Sequence, residues 1–139
     1  MKIVDLIFDK VLYAKVISAN DSCQGIHFLS SPDDNLQIGY MGHPAGHEIL
    51  PHIHLPIQRK ITGTQEILFI RKGVLQVIFF NDAHIRVGEI TLREGDVIIL
   101  LNGGHGFKVL EDVEMVEVKQ GPFVEGHDKV RFKEVKRTE

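Results

Sequence analysis

One cysteine, five prolines and no tryptophan in 139 residues remove several kinds of chemistry at the outset. A lone Cys23 excludes an intrachain disulfide and any centre built from several thiolates, such as an iron–sulfur cluster, which suits a reducing compartment. Cys23 itself is expected to be a small structural residue. Long apolar runs are also missing: the longest is Val97 to Leu101, far below the roughly 20 residues of a membrane-spanning helix. The opening Met1-Lys2-Ile3-Val4-Asp5 does not lead into a signal-peptide core. A cytoplasmic protein with no membrane partner is therefore expected. Charge of one sign is not in excess either, since 16 basic and 19 acidic residues are interspersed to a net −3. Without a basic stripe to meet phosphates, nucleic acid is not an expected partner.

What is present suits one compact domain spanning residues 1–139. With 43% hydrophobic residues the chain can bury a substantial core, and a second domain has no room. Short β-rich segments return between Gly, Asn and Asp punctuation, and no long stretch has helical periodicity. The expected strands are Ile3 to Phe8, Leu12 to Ser18, Gly25 to Leu29, Gln37 to Gly42, His47 to His54, Glu66 to Lys72, Val74 to Phe80, Ile85 to Leu92, Val97 to Leu101, Gly106 to Leu110, Val113 to Lys119 and Val130 to Phe132. Arg71-Lys72-Gly73, Asn81-Asp82, Glu94-Gly95-Asp96 and Asn102-Gly103-Gly104 are expected to turn between them. Val97 to Leu101, apolar at every position, predicts a strand covered on both faces, as in packed sheets or a wrapped barrel. An all-β jelly roll follows, with a charged tail at residues 133–139 reaching into solvent.

Eight histidines are the chemically telling residues. On a strand, side chains two apart share a face, so His52 and His54 project together, roughly 6.5 Å apart along the backbone. Such a pair occurs by chance about half a time in a chain of this composition, so its surroundings must carry the case. Downstream, Glu66 opens the run EILFIRKG, which ends at Gly73, and His105 follows a double glycine in NGGHGF. Glu48 shares the parity of the pair, but four residues at about 3.3 Å each place it about 13 Å from His52. His47 has the opposite parity and is expected on a turn or outer face, with His43 and His27 similar, and His84 and His127 on the solvated surface.

Gly46, His52, His54, Glu66 and Gly73, followed by Gly95-Asp96, Gly103 and His105, resemble the two motifs of the cupin superfamily over about residues 40–120. Three features depart from that pattern. LPIQRKITGTQ between His54 and Glu66 is much longer than the usual spacer, Leu101 stands in place of a proline, and His105 follows Gly103 one residue early. The resemblance implies a double-stranded β-helix barrel, and His52, His54, Glu66 and His105 as ligands of a divalent transition metal. Imidazole with one carboxylate suits iron, manganese, nickel, copper or zinc without choosing among them. Three imidazoles and a carboxylate leave positions open for a substrate oxygen or water.

By parity, Leu68 and Ile70 accompany Glu66 inward, and Phe107 and Val109 accompany His105. Gln65, Tyr40 or Gln120 are candidates to orient the imidazoles. Leu55 to Gln65, with Arg59, Lys60 and Thr62, is expected to serve as a flap, a surface loop or a dimer arm. The family houses many reactions, so the fold does not choose one. The preferred expectation is a metal-dependent protein acting on an oxygen-rich small molecule, a sugar derivative or a keto or hydroxy acid, as an isomerase, epimerase or dioxygenase. The alternatives are a non-catalytic ligand-binding or sensory module, and a metal-free epimerase of sugar nucleotides that uses one histidine base. Further similarity of GTQEILFIRKG, GGHGF and EVKQGPF to small cupins of surface-polysaccharide pathways tilts the substrate toward sugars. The expected assembly is a homodimer, because an open jelly roll has strand edges to protect.

Overall fold

A computed structural model describes residues 2–136, and they form β-strands and loops without a helix. No helix among the described residues is long and apolar enough to cross a membrane. The strands are β1 (Ile3–Phe8), β2 (Val11–Ile17), β3 (Gly25–Phe28), β4 (Gly39–Gly42), β5 (Glu66–Phe80), β6 (Arg86–Arg93), β7 (Val97–Leu100) and β8 (Gly104–Lys119). The all-β expectation holds, and all pairings are antiparallel. β3 and β4 pair by themselves, and the other six strands make one curled sheet in the order β1-β2-β7-β5-β6, with β8 on the other edge of β5.

Two strands are longer than the sequence suggests. Arg71-Lys72-Gly73 bends a strand instead of ending one, so β5 runs unbroken for 15 residues and β8 for 16. The register between them shifts three times from Ile70 to Leu75. Gly73 lies at the centre with φ +89°, and a Cβ there would stand 1.9 Å from the Asp112 carbonyl oxygen. Only glycine combines that backbone with so close a crossing. Beside the bulge, the β6–β7 turn clips on: Gly95 N–H donates to the Ile70 carbonyl at 2.7 Å, and Ile70 N–H to the Asp96 carbonyl at 3.0 Å.

The bulge also changes which residues face the core. Leu68 and Ile70 lie on even positions before it, Leu75, Val77 and Phe79 on odd positions after it, and all five are buried in one cluster with Tyr13, Ala14, Val16, Leu92, Ile98 and Leu100. Without the irregularity, one half of β5 would turn its apolar side chains outward. On the other face, Ile99 packs with Ile17, Leu29 and Ile38 in a second cluster. β7 is thus covered on both sides, as its apolar run predicts.

β8 is covered much less. In an antiparallel ladder, residues opposite one another share a face. Phe107, Val109 and Met115 therefore continue the face formed by Val77, Leu75 and Ile70, yet they are 40%, 52% and 37% exposed. Only β5 pairs with β8 among the described residues, so the other edge of this long strand is open.

Two expected strands do not form. Residues 43–65 contain no strand, and every residue from 43 to 64 is exposed. His47 to His54 has an extended pattern, but no strand edge lies beside it among the described residues. Residues 129–136 likewise form no strand; they lie against the end of the β5–β6 hairpin. There the Phe132 ring stacks on His84 at 3.9 Å and meets Phe80 edge-on at 5.3 Å, while Val135 N–H donates to the His84 carbonyl. His84, expected in solvent, is therefore partly covered, and the tail is tied down as far as Val135. The rest of that tail, residues 137–139, lies outside the described residues.

Two outcomes follow. Gly73→Ala should lower stability by at least the roughly 1–3 kcal/mol of a strained backbone position, because the methyl also meets the Asp112 carbonyl. A urea midpoint equal to wild type would contradict the close crossing. Phe132→Ala should release the C-terminal segment and speed trypsin cleavage after Lys129, Arg131 and Lys133, with unchanged cleavage elsewhere.

Candidate functional site

Glu66 opens β5 opposite Leu100 and Lys119, and His105 lies near the start of β8 opposite Phe79. Phe79 stands thirteen residues along β5 from Glu66, which on a flat strand is about 43 Å. Nevertheless His105 Nε2 lies 3.2 Å from Glu66 Oε2. The β5–β8 ribbon curls until its two ends meet, and the β7–β8 connection spans the gap. Leu101 N–H donates to the Tyr13 carbonyl at 2.8 Å, and Asn102 Nδ2 donates to the Leu12 carbonyl at 2.8 Å. Gly103, with φ +73°, turns directly over the Tyr13 ring, where a Cβ would lie 2.1 Å from a ring carbon. These contacts deliver His105 to Glu66.

A carboxylate can only accept, so Nε2–H of His105 donates to Glu66 and Nδ1 is the basic nitrogen of the neutral ring. Glu117, opposite Leu68, completes the cluster. The Glu66 carboxyl is held below the usual range, chiefly by the hydrogen bond from His105; burial opposes this, and the His105 charge, Glu117 and Lys119 reinforce it. Glu117 is pushed the other way, first by burial and then by the charge and hydrogen bond of Glu66, against Lys119 and Lys129. Two carboxyls in contact thus divide their roles: Glu66 carries the charge, and Glu117 holds its proton longer.

The cluster faces a cavity of about 730 Å³. Leu68, Leu100, Phe107 and Met115 give it an apolar floor, as parity predicts for Leu68 and Phe107, and Lys129, Arg131 and Phe132 line the side formed by the C-terminal segment. Lys119 Nζ lies 3.5 Å from Asp128 and ties that segment to β8.

Of the four expected metal ligands, the structure brings together Glu66 and His105. His52 and His54 sit side by side on the exposed segment, ring centroids 5.2 Å apart, with His52 Nδ1 3.0 Å from the Leu50 carbonyl oxygen. Among the described residues no group of three or more His, Cys, Asp or Glu side chains is placed to hold a metal ion. Catalytic zinc sites use three protein ligands. His105, Glu66 and Glu117 match that number but are not placed as a common ligand set among the described residues, so no chemical step is assigned to an ion here.

Other sequence candidates have structural duties. Gln65 N–H donates to Gln120 Oε1 at 2.8 Å, and Gln65 Oε1 accepts from Leu36 N–H at 3.0 Å, fastening the start of β5 to the preceding loop. Gln120 Nε2 is buried without a partner among the described residues. The Tyr40 hydroxyl donates to the Asp21 carbonyl. Glu117, Lys129 and Arg131 escape a reading by motif. Glu117 has the parity of His105, a signal visible only when β8 is read as one strand across Glu111 and Asp112. No protein-family model, curated protein or solved structure matches this chain.

Proposed function

We propose that this chain is a cupin-type jelly-roll protein that binds a small oxygen-rich molecule, a sugar derivative or a keto or hydroxy acid, and moves a proton on it. The observation supporting this reading is the Glu66–His105–Glu117 cluster facing a cavity of small-molecule size. The Glu66 carboxylate fixes the imidazole in one tautomer, which leaves Nδ1 as its accepting nitrogen. His105 can then take a proton from carbon next to a carbonyl, while Glu117 lends its proton to the carbonyl oxygen. The two carboxyls, Glu66 held below the usual range and Glu117 pushed above it, are driven apart in proton affinity, which keeps a proton on Glu117 while Glu66 stays ionised. Lys129 and Arg131 face the same cavity and suit a carboxylate or phosphate on the ligand. A divalent metal belongs to this reading only where further donors join Glu66 and His105.

Hydrogen–deuterium exchange at carbon gives the test. In D₂O the protein should label a keto sugar, sugar nucleotide or keto acid next to its carbonyl, and His105→Ala should slow labelling by roughly 10²- to 10⁴-fold. Glu117→Gln should slow it too, with the fold intact by circular dichroism. Absence of labelling across all three substrate classes would remove the catalytic reading. Arg131→Ala should weaken binding of an anionic ligand by on the order of 10-fold, measured by calorimetry, and leave a neutral analogue unaffected.

A further inference from the structure

Three connections converge on Tyr13 around a second cavity, of about 380 Å³. The β1–β2 turn brings Asp9 to it, the β5–β6 turn Asn81 and Asp82, and the β7–β8 connection Asn102 and Gly103. Asp9 and Lys10 have φ of +50° and +66°, the backbone of a two-residue hairpin turn that matches the strand twist. A cavity of this volume with polar groups from separate elements is of the size that holds small molecules.

Its lining consists mostly of acceptors. No described residue donates a hydrogen bond to the Asp9 or Asp82 carboxylate. Asn102 uses Nδ2 on the Leu12 carbonyl, which leaves Oδ1 as its free end. Asn81 uses Oδ1 on the Ala83 and Ile85 N–H groups and so shapes its own turn. No lysine, arginine or histidine is among the lining residues, so within the cavity wall the two carboxylates have no counter-charge.

Tyr13 is the telling member. Its ring packs against Phe8 and Phe79 beneath the Gly103 turn, and the residue is only 4% exposed. Yet its hydroxyl borders the cavity without a hydrogen-bond partner among the described residues. Burial, and then the charges of Asp82 and Asp9, raise the proton affinity of this phenol, so its oxygen lies in the field of both carboxylates. A polar group buried in this way calls for a partner.

We propose that this cavity binds the primary ammonium group of a small organic amine, held by Asp9 and Asp82, with the Tyr13 hydroxyl and Asn102 Oδ1 as further acceptors. An ammonium offers three donors and one charge, which suits two carboxylates and a neutral oxygen, and a second amine in the same molecule offsets the second negative charge. A bare calcium ion fits less well, because it takes roughly six to eight oxygen ligands at close range. Asn102 and Gly103 line this cavity and the one beside His105 alike. An amine seated here therefore braces the connection that carries His105.

Titration calorimetry of the full chain with putrescine tests the proposal. Wild type should bind one molecule per chain. Asp9→Asn and Asp82→Asn should each weaken binding on the order of 10-fold, the worth of a charge-assisted hydrogen bond, and asparagine tolerates the positive φ at residue 9. Tyr13→Phe keeps the ring contacts and should weaken binding roughly 5-fold, with unchanged circular dichroism. Tetramethylammonium, charged but without N–H donors, should bind at least about 10-fold more weakly than putrescine, and uncharged n-butanol should not bind. No saturable binding of putrescine, affinity unchanged in either aspartate variant or in Tyr13→Phe, or tetramethylammonium or n-butanol bound as tightly as putrescine would overturn the proposal. Calcium chloride bound through Asp9 and Asp82 while putrescine is not bound would overturn it as well, and assign the cavity to a metal ion. None of these measurements involves carbon-bound exchange at His105, so the two proposals can fail separately.

Discussion

The bend of the β5–β8 ribbon at Gly73 is the constraint on which the site depends. A flat ladder would hold Glu66 and His105 at opposite ends, about 43 Å apart, and no side chain could cross that distance. The register shifts opposite Asp112 bend and twist the ladder while keeping both halves paired. They also reverse parity, so the same irregularity that curls the ribbon keeps Leu68, Ile70, Leu75, Val77 and Phe79 on one buried face. Core and site therefore share a cause. A glycine that looked like the end of a strand is where the sheet curls.

Within the cluster, competing effects resolve differently for two carboxyls of the same type. Burial raises the proton affinity of both Glu66 and Glu117. At Glu66 the imidazole hydrogen bond outweighs it. At Glu117 no such donor is available, and the neighbouring negative charge adds to burial. Lys119 acts on both in the same direction and so does not separate them. The difference comes from the position of His105, which the β7–β8 connection sets through Tyr13, Gly103 and Leu101.

The sequence made the β class legible because alternation and turn residues are local signals. Most strand positions, the doubly covered β7 and the inward faces of Glu66 and His105 could be read in this way. Strand continuity could not. A glycine between two apolar runs serves a turn or a bulge equally well, and Asp112 must be seen across the ladder before Gly73 can be assigned. Splitting β8 at Glu111-Asp112 hid the shared parity of His105 and Glu117, and with it one member of the cluster. The C-terminal residues were illegible for another reason: Phe132 is held by His84 and Phe80, a contact set by tertiary structure and not by periodicity.

The segment around His52 and His54 separates what a sequence encodes from what one chain can satisfy. Its alternation, broken at Leu50 and Arg59, is that of a strand, but a strand needs a neighbour, and no strand pairs with it among the described residues. Burying one aliphatic side chain yields about 1.5–3 kcal/mol, comparable with the roughly 1–2 kcal/mol needed to order one residue's backbone. Docking such a segment is therefore favoured only if alternate side chains are buried while the backbone is already restricted. Pro51 and Pro56 fix φ at two positions and bias Leu50 and Leu55 toward extended conformations before any contact forms. Ile49, Ile53, Leu55, Ile57 and Ile61, exposed and two or four residues apart, with a stiffened backbone between them, lower the cost of pairing with another strand and raise its return.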